Sequence, residues 1–168
     1  MNPIETVYKG YRFRSRLEAR WAVFFGTLGI KWEYEVEGYK LPSGYYLPDF
    51  WLPVFENGMY VEVKPDIKSF LPTQAKVQDL CIESQKPVWI CDGVPEAKEY
   101  LCFYPTGQKE VPLDLRFGIP LFDQAEFEDR MFIDSGLQAE ELWNLVSKNY
   151  QDAVYKARQA RFEHGEQG

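Results

Sequence analysis

The sequence predicts an α/β fold with a helical C-terminal extension, and three stretches carry that expectation. The first is residues 45–64, YYLPDFWLPVFENGMYVEVK, which reads as two strands, 45–52 and 59–64, around Asn57-Gly58, a favoured hairpin dipeptide. The second is a helical pattern over 72–84 followed by the apolar strand 87–91, giving the strand–helix–strand order of a parallel crossover. The third is the final third of the chain, where apolar residues recur at helical spacing. A length of 168 residues suits one domain with a substantial core.

From the N-terminus, Tyr11 and Phe13 alternate with Arg12 and Arg14, a short strand or arm after a turn at Gly10. Ser15 then stands as N-cap with Glu18 at the capping-box spacing. Leu17, Trp21, Phe24, Phe25 and Leu28 form the apolar stripe of a helix that Gly29 stops. Glu18 lies at the edge of that stripe, where it can cap its own helix or project beside the core. Over 31–41, Trp32, Tyr34 and Val36 alternate with Glu33, Glu35 and Glu37, which predicts one half-exposed strand with an acidic outer face. Pro65 ends the second hairpin strand, and Asp66 reads as a solvated loop acid.

In the helix over 72–84, Val77, Leu80 and Cys81 point inward and Gln74, Lys76 and Gln78 fall on the polar side. Asp92-Gly93 closes the strand that follows. Strands over 100–104 and 110–117, joined at Thr106-Gly107, form an accessory hairpin or extend the sheet. A short helix is expected over 123–132. A long one is expected over 134–163, capped by Asp134 or Ser135, with Leu137, Leu142, Leu145, Val146, Tyr150, Ala153, Val154 and Ala157 inward. Lys156, Arg158 and Arg161 suit the negative end of its dipole, the favoured reading, or contact nucleic acid, and the tail HGEQG reads as disordered.

Composition narrows the function classes. An apolar content of 45%, with 17% aromatic, argues for a packed domain and against disorder. No apolar run approaches a membrane span, and the opening MNPIETVYKG lacks a signal-peptide core, so a cytoplasmic protein is expected. Cys81, Cys91 and Cys102 show no Cys-x-x-Cys pairing and read as reduced core thiols. His164 is the only histidine and sits near the end, so any chemistry must use carboxylates and lysine. The net charge of −7 argues against indiscriminate binding to polyanions. The arm over 1–21 nevertheless carries Lys9, Arg12, Arg14, Arg16 and Arg20 against Glu5 and Glu18, a net of +3, which leaves −10 for the rest. Such a patch can dock a phosphate backbone or be a solvated loop and helix start.

The chemistry-bearing residues lie in the hairpin. Alternation puts Leu47, Asp49 and Trp51 on one face of the first strand and Tyr60, Glu62 and Lys64 on one face of the second. Pairing then brings Asp49, Glu62 and Lys64 to one spot among aromatic and apolar neighbours, where buried charge is costly unless paired or metal-bound. Two carboxylates suit a hard divalent ion such as Mg²⁺, and a lysine beside them suits charge growing on a phosphate. A solvated surface hairpin is the alternative reading of the same pattern.

Glu18 in SRLEARW, Pro48-Asp49 in one strand and Glu62-Val63-Lys64 in the next together resemble the PD-(D/E)XK nuclease superfamily. The arrangement is most similar to small phage and mobile-element enzymes, the Holliday-junction resolvases and the end-cleaving TnsA-type transposase subunits. The resemblance covers roughly residues 8–91, about half the chain, within a nuclease core expected over 1–93. It leaves 94–168 as accessory strands and C-terminal helices packed on the same domain.

The resemblance implies a restriction-endonuclease-like core, a mixed sheet flanked by helices. It also implies Mg²⁺ or Mn²⁺ held by Asp49, Glu62 and the Val63 carbonyl, with Glu18 completing the cluster and Lys64 activating water. The reaction is then phosphodiester hydrolysis of DNA, with the arm over 9–20 holding the backbone. Two other readings stay open: a non-catalytic DNA-binding or interaction module, and a nuclease subunit active only within a larger complex. The aromatics between 32 and 46 would offer a surface for a homodimer or partner subunit.

Overall fold

The computed structural model describes residues 4–54, 57–120, 132–133 and 138–162. The chain opens with a hairpin of β1 (Thr6–Tyr8) and β2 (Tyr11–Phe13), in which Thr6 faces Phe13. Its turn places Lys9 and Gly10 at φ 47° and 80°, a left-handed pair that glycine makes easier. Helix α1 (Arg16–Thr27) follows, N-capped as expected by Ser15, whose hydroxyl accepts the Glu18 N–H. Gly29 at φ 76° leads the chain away after the Leu28 cap.

Next come β3 (Glu33–Tyr34), a small hairpin of β4 (Tyr39–Leu41) and β5 (Gly44–Tyr46), then β6 (Phe50–Leu52) and β7 (Met59–Lys64). A short helix α2 (Ile67–Phe70) and a 3₁₀ turn (Leu71–Thr73) lead into α3 (Gln74–Ser84) and then β8 (Val88–Asp92). Strands β9 (Tyr100–Pro105), β10 (Leu113–Pro120) and β11 (Phe132–Ile133) extend the sheet, and α4 (Ala139–Leu145) and α5 (Lys148–Gln159) complete the described elements. The fold is α/β. Its main sheet has seven strands in the order β11-β10-β9-β8-β7-β6-β3. It is mixed: β7 and β8 run parallel across the α3 connection, and the other neighbours are antiparallel.

Alternation along the strands divides the core. On one face, Phe50, Leu52, Val61 and Trp89 pack with α1 and α5. On the other, Val88, Ile90, Leu101 and Phe103 pack with Phe70 and with Val77, Leu80 and Cys81 of α3. Trp21 is fully buried, edge-on to both Trp89 (5.4 Å between centroids) and Tyr100 (5.6 Å). Truncating rings so enclosed costs about 3–5 kcal/mol. The three cysteines are buried free thiols, the state their spacing implied.

Three sequence expectations fail for local reasons. The single strand over 31–41 is broken between β3 and β4: Glu35 turns left-handed at φ 45° and donates its N–H to the Asp49 carbonyl, leaving Val36 62% exposed. The single strand over 45–52 is split by Pro48, which has no N–H for a ladder, and β5 pairs with β4 while β6 pairs with β7. The long helix over 134–163 is two helices. Val146 and Ser147 are extended (ψ 152° and 164°), and the Ser147 hydroxyl accepts the Tyr150 N–H, a local cap that outcompetes continuation. Leu145, expected inward, is exposed there, and Gln138 with Glu141 caps α4. The caps expected at Asp134 and Ser135, residue Leu137, His164 and the C-terminal tail lie outside the described residues. The helix over 123–132 does so too, except that Phe132 belongs to β11.

Arg20 ties the two ends of the fold together. Its Nη1 donates to the carbonyls of Ala157 and Arg158 (2.8 Å each) and Ala160 (3.1 Å), all at the C-terminus of α5, and its guanidinium lies over the Phe162 ring. Those carbonyls have no intrahelical donors, so a charged donor there counts for more than a neutral one. Arg20→Met is expected to lower stability by about 2 kcal/mol and to strip hydrogen-exchange protection from α5 first. Unchanged protection of α5 would show that the cap is dispensable.

Candidate functional site

The pairing of β6 with β7 (Phe50 with Val61, Trp51 with Tyr60, Leu52 with Met59) places Asp49, one residue before β6, opposite Glu62. There Asp49 Oδ2 accepts the Val63 N–H at 2.7 Å, so a carboxylate takes the place of a ladder carbonyl. Glu62 is 4% exposed, with Lys64 Nζ 3.1 Å from its Oε1 and the Tyr46 hydroxyl donating to its Oε2. The expected meeting of Asp49, Glu62 and Lys64 is therefore present. Val63 enters it through its amide.

Glu18 joins from the first turn of α1. The Ser15 hydroxyl donates to its Oε1 at 3.0 Å, and the Tyr34 hydroxyl, itself accepting the Arg14 N–H, donates to its Oε2. Ser15 caps the helix through the Glu18 amide, while the Glu18 carboxylate is held by the Ser15 and Tyr34 hydroxyls instead of closing a capping box on the Ser15 N–H. The charge of Glu18 is felt in the site. Burial raises the Asp49 pKa well above the usual range, and the charges of Glu62 and then Glu18 push it further; the Val63 N–H and Lys64 act against them. Burial likewise raises Glu62, opposed by Tyr46 and Lys64 and reinforced by Glu18. Glu35, expected to be an outer-face residue without chemistry, belongs to the same neighbourhood. Burial raises its pKa, Glu18 adds to the rise, and an ion pair with Arg14 Nε at 2.8 Å opposes it.

Tyr34 and Tyr46 are the functional neighbours that sequence reasoning missed. The alternation around Tyr34 did place it inward, but nothing local says that its hydroxyl would end on Glu18. Of the aromatics between 32 and 46, Trp32 packs against Tyr11, Phe13 and Phe50, while Tyr34 and Tyr46 bond to carboxylates; Tyr45 is the exposed one. Asp66 stands apart as the exposed N-cap of α2, its pKa lowered by the Ser69 N–H.

Of the basic arm, Arg14 reaches this acidic centre through both backbone and side chain, Arg12 sits 3.8 Å from Glu5 with both exposed, and Lys9 lies over the Tyr8 ring. Arg16 is half-buried at the start of α1, and Arg20 is occupied by α5. Among the described residues, no three His, Cys, Asp or Glu side chains are grouped as a ready metal cage. A cation here would rest on Asp49 and Glu62, with water filling the remaining positions. No family model, curated protein or solved structure matches this chain.

Because burial and like charge raise Asp49 and Glu62, the folded protein holds their protons to higher pH than the unfolded chain does. Their stabilising contribution is full below the ordinary carboxylate range and is lost as pH rises through the raised values. Asp49→Asn keeps an acceptor for the Val63 N–H and removes one charge. Without metal it is expected to stabilise the protein by about 1–2 kcal/mol at neutral pH, the gain shrinking towards pH 4. Denaturant unfolding across that range measures it, and a variant less stable at pH 7 than the parent would contradict the crowding.

Proposed function

We propose that this protein is a metal-dependent nuclease with a restriction-endonuclease-like core that hydrolyses phosphodiester bonds of DNA. One observation carries the reading: Asp49 sits opposite Glu62 with Lys64 beside it, and both carboxylates are strained towards protonation. A divalent cation relieves that strain where protons otherwise must. Hard oxygen donors, two carboxylates with room for waters, suit Mg²⁺ or Mn²⁺ better than a softer metal. Asp49 and Glu62 would hold the ion, which when bound polarises a phosphoryl oxygen and acidifies water. Glu18, anchored by Ser15 and Tyr34, would orient a water at the cluster's edge. Lys64 would release Glu62 to the cation and offer its ammonium to the attacking water and the charge growing on phosphate.

A second reading, a nuclease subunit that acts within a larger complex, draws on the arm. Arg14 and Arg20 are bonded within the chain, and Arg12 has Glu5 near it, so fewer cations face a phosphate backbone than the sequence offers. DNA brought by a partner would make up the difference.

Labelled linear duplex, four-way junction, single strand and RNA, each with Mn²⁺, Mg²⁺ or chelator, test the activity. Metal-dependent cutting is expected, and Lys64→Ala and Glu62→Ala should each lower it at least ~100-fold with circular dichroism unchanged. Parental turnover in either variant would sink the assignment. Arg12→Ala with Arg14→Ala should reduce the salt slope of DNA binding by about one, since Arg14 is held by Glu35. An unaltered slope would take the phosphate-holding role away from the arm.

A further inference from the structure

A pocket of about 260 Å³ opens on the sheet edge beside the acidic centre, and its walls are aromatic. Trp51 and Tyr60 pack at a tilt of 50° with 4.8 Å between centroids, and Tyr39 meets Tyr60 edge-on at 5.8 Å and 79°, so the three rings form a corner. The corner is built rather than accidental. The Tyr39 and Tyr60 hydroxyls are 2.6 Å apart. Trp51 lies so close over Gly58 that a Cβ there would stand 2.3 Å from its ring, and Gly58 has φ 66°. Glu33 and Glu37, both exposed, line it too, together with Val36, Pro48 and Phe50.

We propose that this pocket receives the guanidinium of an arginine on a basic segment of a partner protein. Aromatic faces present the negative side of their quadrupole to a cation, and the carboxylates of Glu33 and Glu37 accept its N–H donors. A planar guanidinium can stack on Trp51 or Tyr60 and bond Glu37 at its edge, which a lysine ammonium cannot do equally well. A nucleobase would also stack there, but it leaves two carboxylates uncompensated and brings a phosphate towards them. The acidic surplus of the chain outside the arm, −10, complements a basic partner. Trp51 and Tyr60 are each two residues along their strands from Asp49 and Glu62, so a partner seated here stands beside the candidate centre. The inference does not depend on the nuclease reading.

N-acetyl-arginine amide is titrated into the ¹⁵N-labelled protein, following the indole N–H of Trp51, assigned by its loss in Trp51→Phe. A saturable shift is expected. The uncharged citrulline analogue should bind at least ~10-fold more weakly, and Glu33→Gln with Glu37→Gln should weaken arginine binding about tenfold while the other amide peaks hold still. No shift, an equal response to citrulline, or a stronger response to deoxynucleosides would overturn the proposal. So would a dimer in sedimentation that the double glutamine variant dissolves, since the occupant would then be the arm of a second copy.

Discussion

The Asp49 carboxylate on the Val63 amide is the contact from which the acidic centre follows. It begins the β6–β7 pairing with a side chain instead of a carbonyl, which fixes the register and forces Asp49 to face Glu62. With Glu62 buried and Asp49 half-buried beside it, every neighbour answers to these two charges. Lys64 and the Tyr46 hydroxyl take the two oxygens of Glu62, Tyr34 and Ser15 take those of Glu18, and Arg14 pairs with Glu35. A buried carboxylate without such partners would simply keep its proton.

That arrangement needs a stiff support, and the aromatic content supplies it. Phe13, Phe25, Phe50, Trp21, Trp89 and Tyr100 interlock between α1 and the sheet, so the first turn of α1 cannot drift from the end of β6. Helix α5 is bound to α1 from the other side through Tyr150 on Phe24 and through Arg20. The accessory C-terminal part thus contributes to holding the helix that carries Glu18, which ties a structural role to residues far from the centre in sequence.

The distribution of charge follows the same logic. Cations that look like a phosphate-binding arm in the sequence are partly absorbed in neutralising the acid cluster and capping a helix. What remains is an acidic, aromatic edge, better matched to a basic protein surface than to nucleic acid. Such an edge can seat a basic partner immediately beside the acidic centre.

By itself the sequence determined the elements with strong periodicity or punctuation: α1 with its Ser15 cap, β7, α3, β8 and the antiparallel β9–β10 pair. Its period of two also placed Asp49 on one strand face and Glu62 with Lys64 on another that a hairpin can bring together, but the register that does so, Leu52 with Met59, leaves six residues between the strands and is not that of a two-residue Asn-Gly turn. Tertiary structure decided the rest, where local preferences were weak or contested. The break at Glu35 and the split at Pro48 exist because the segments on either side find different sheet partners. The break at Ser147 lets α4 and α5 turn independently, which no helical periodicity reveals. The hydroxyls of Tyr34 and Tyr46 reach Glu18 and Glu62 across sixteen residues in each case. Such contacts are fixed by how elements pack, and a one-dimensional pattern records only which face a side chain leaves from.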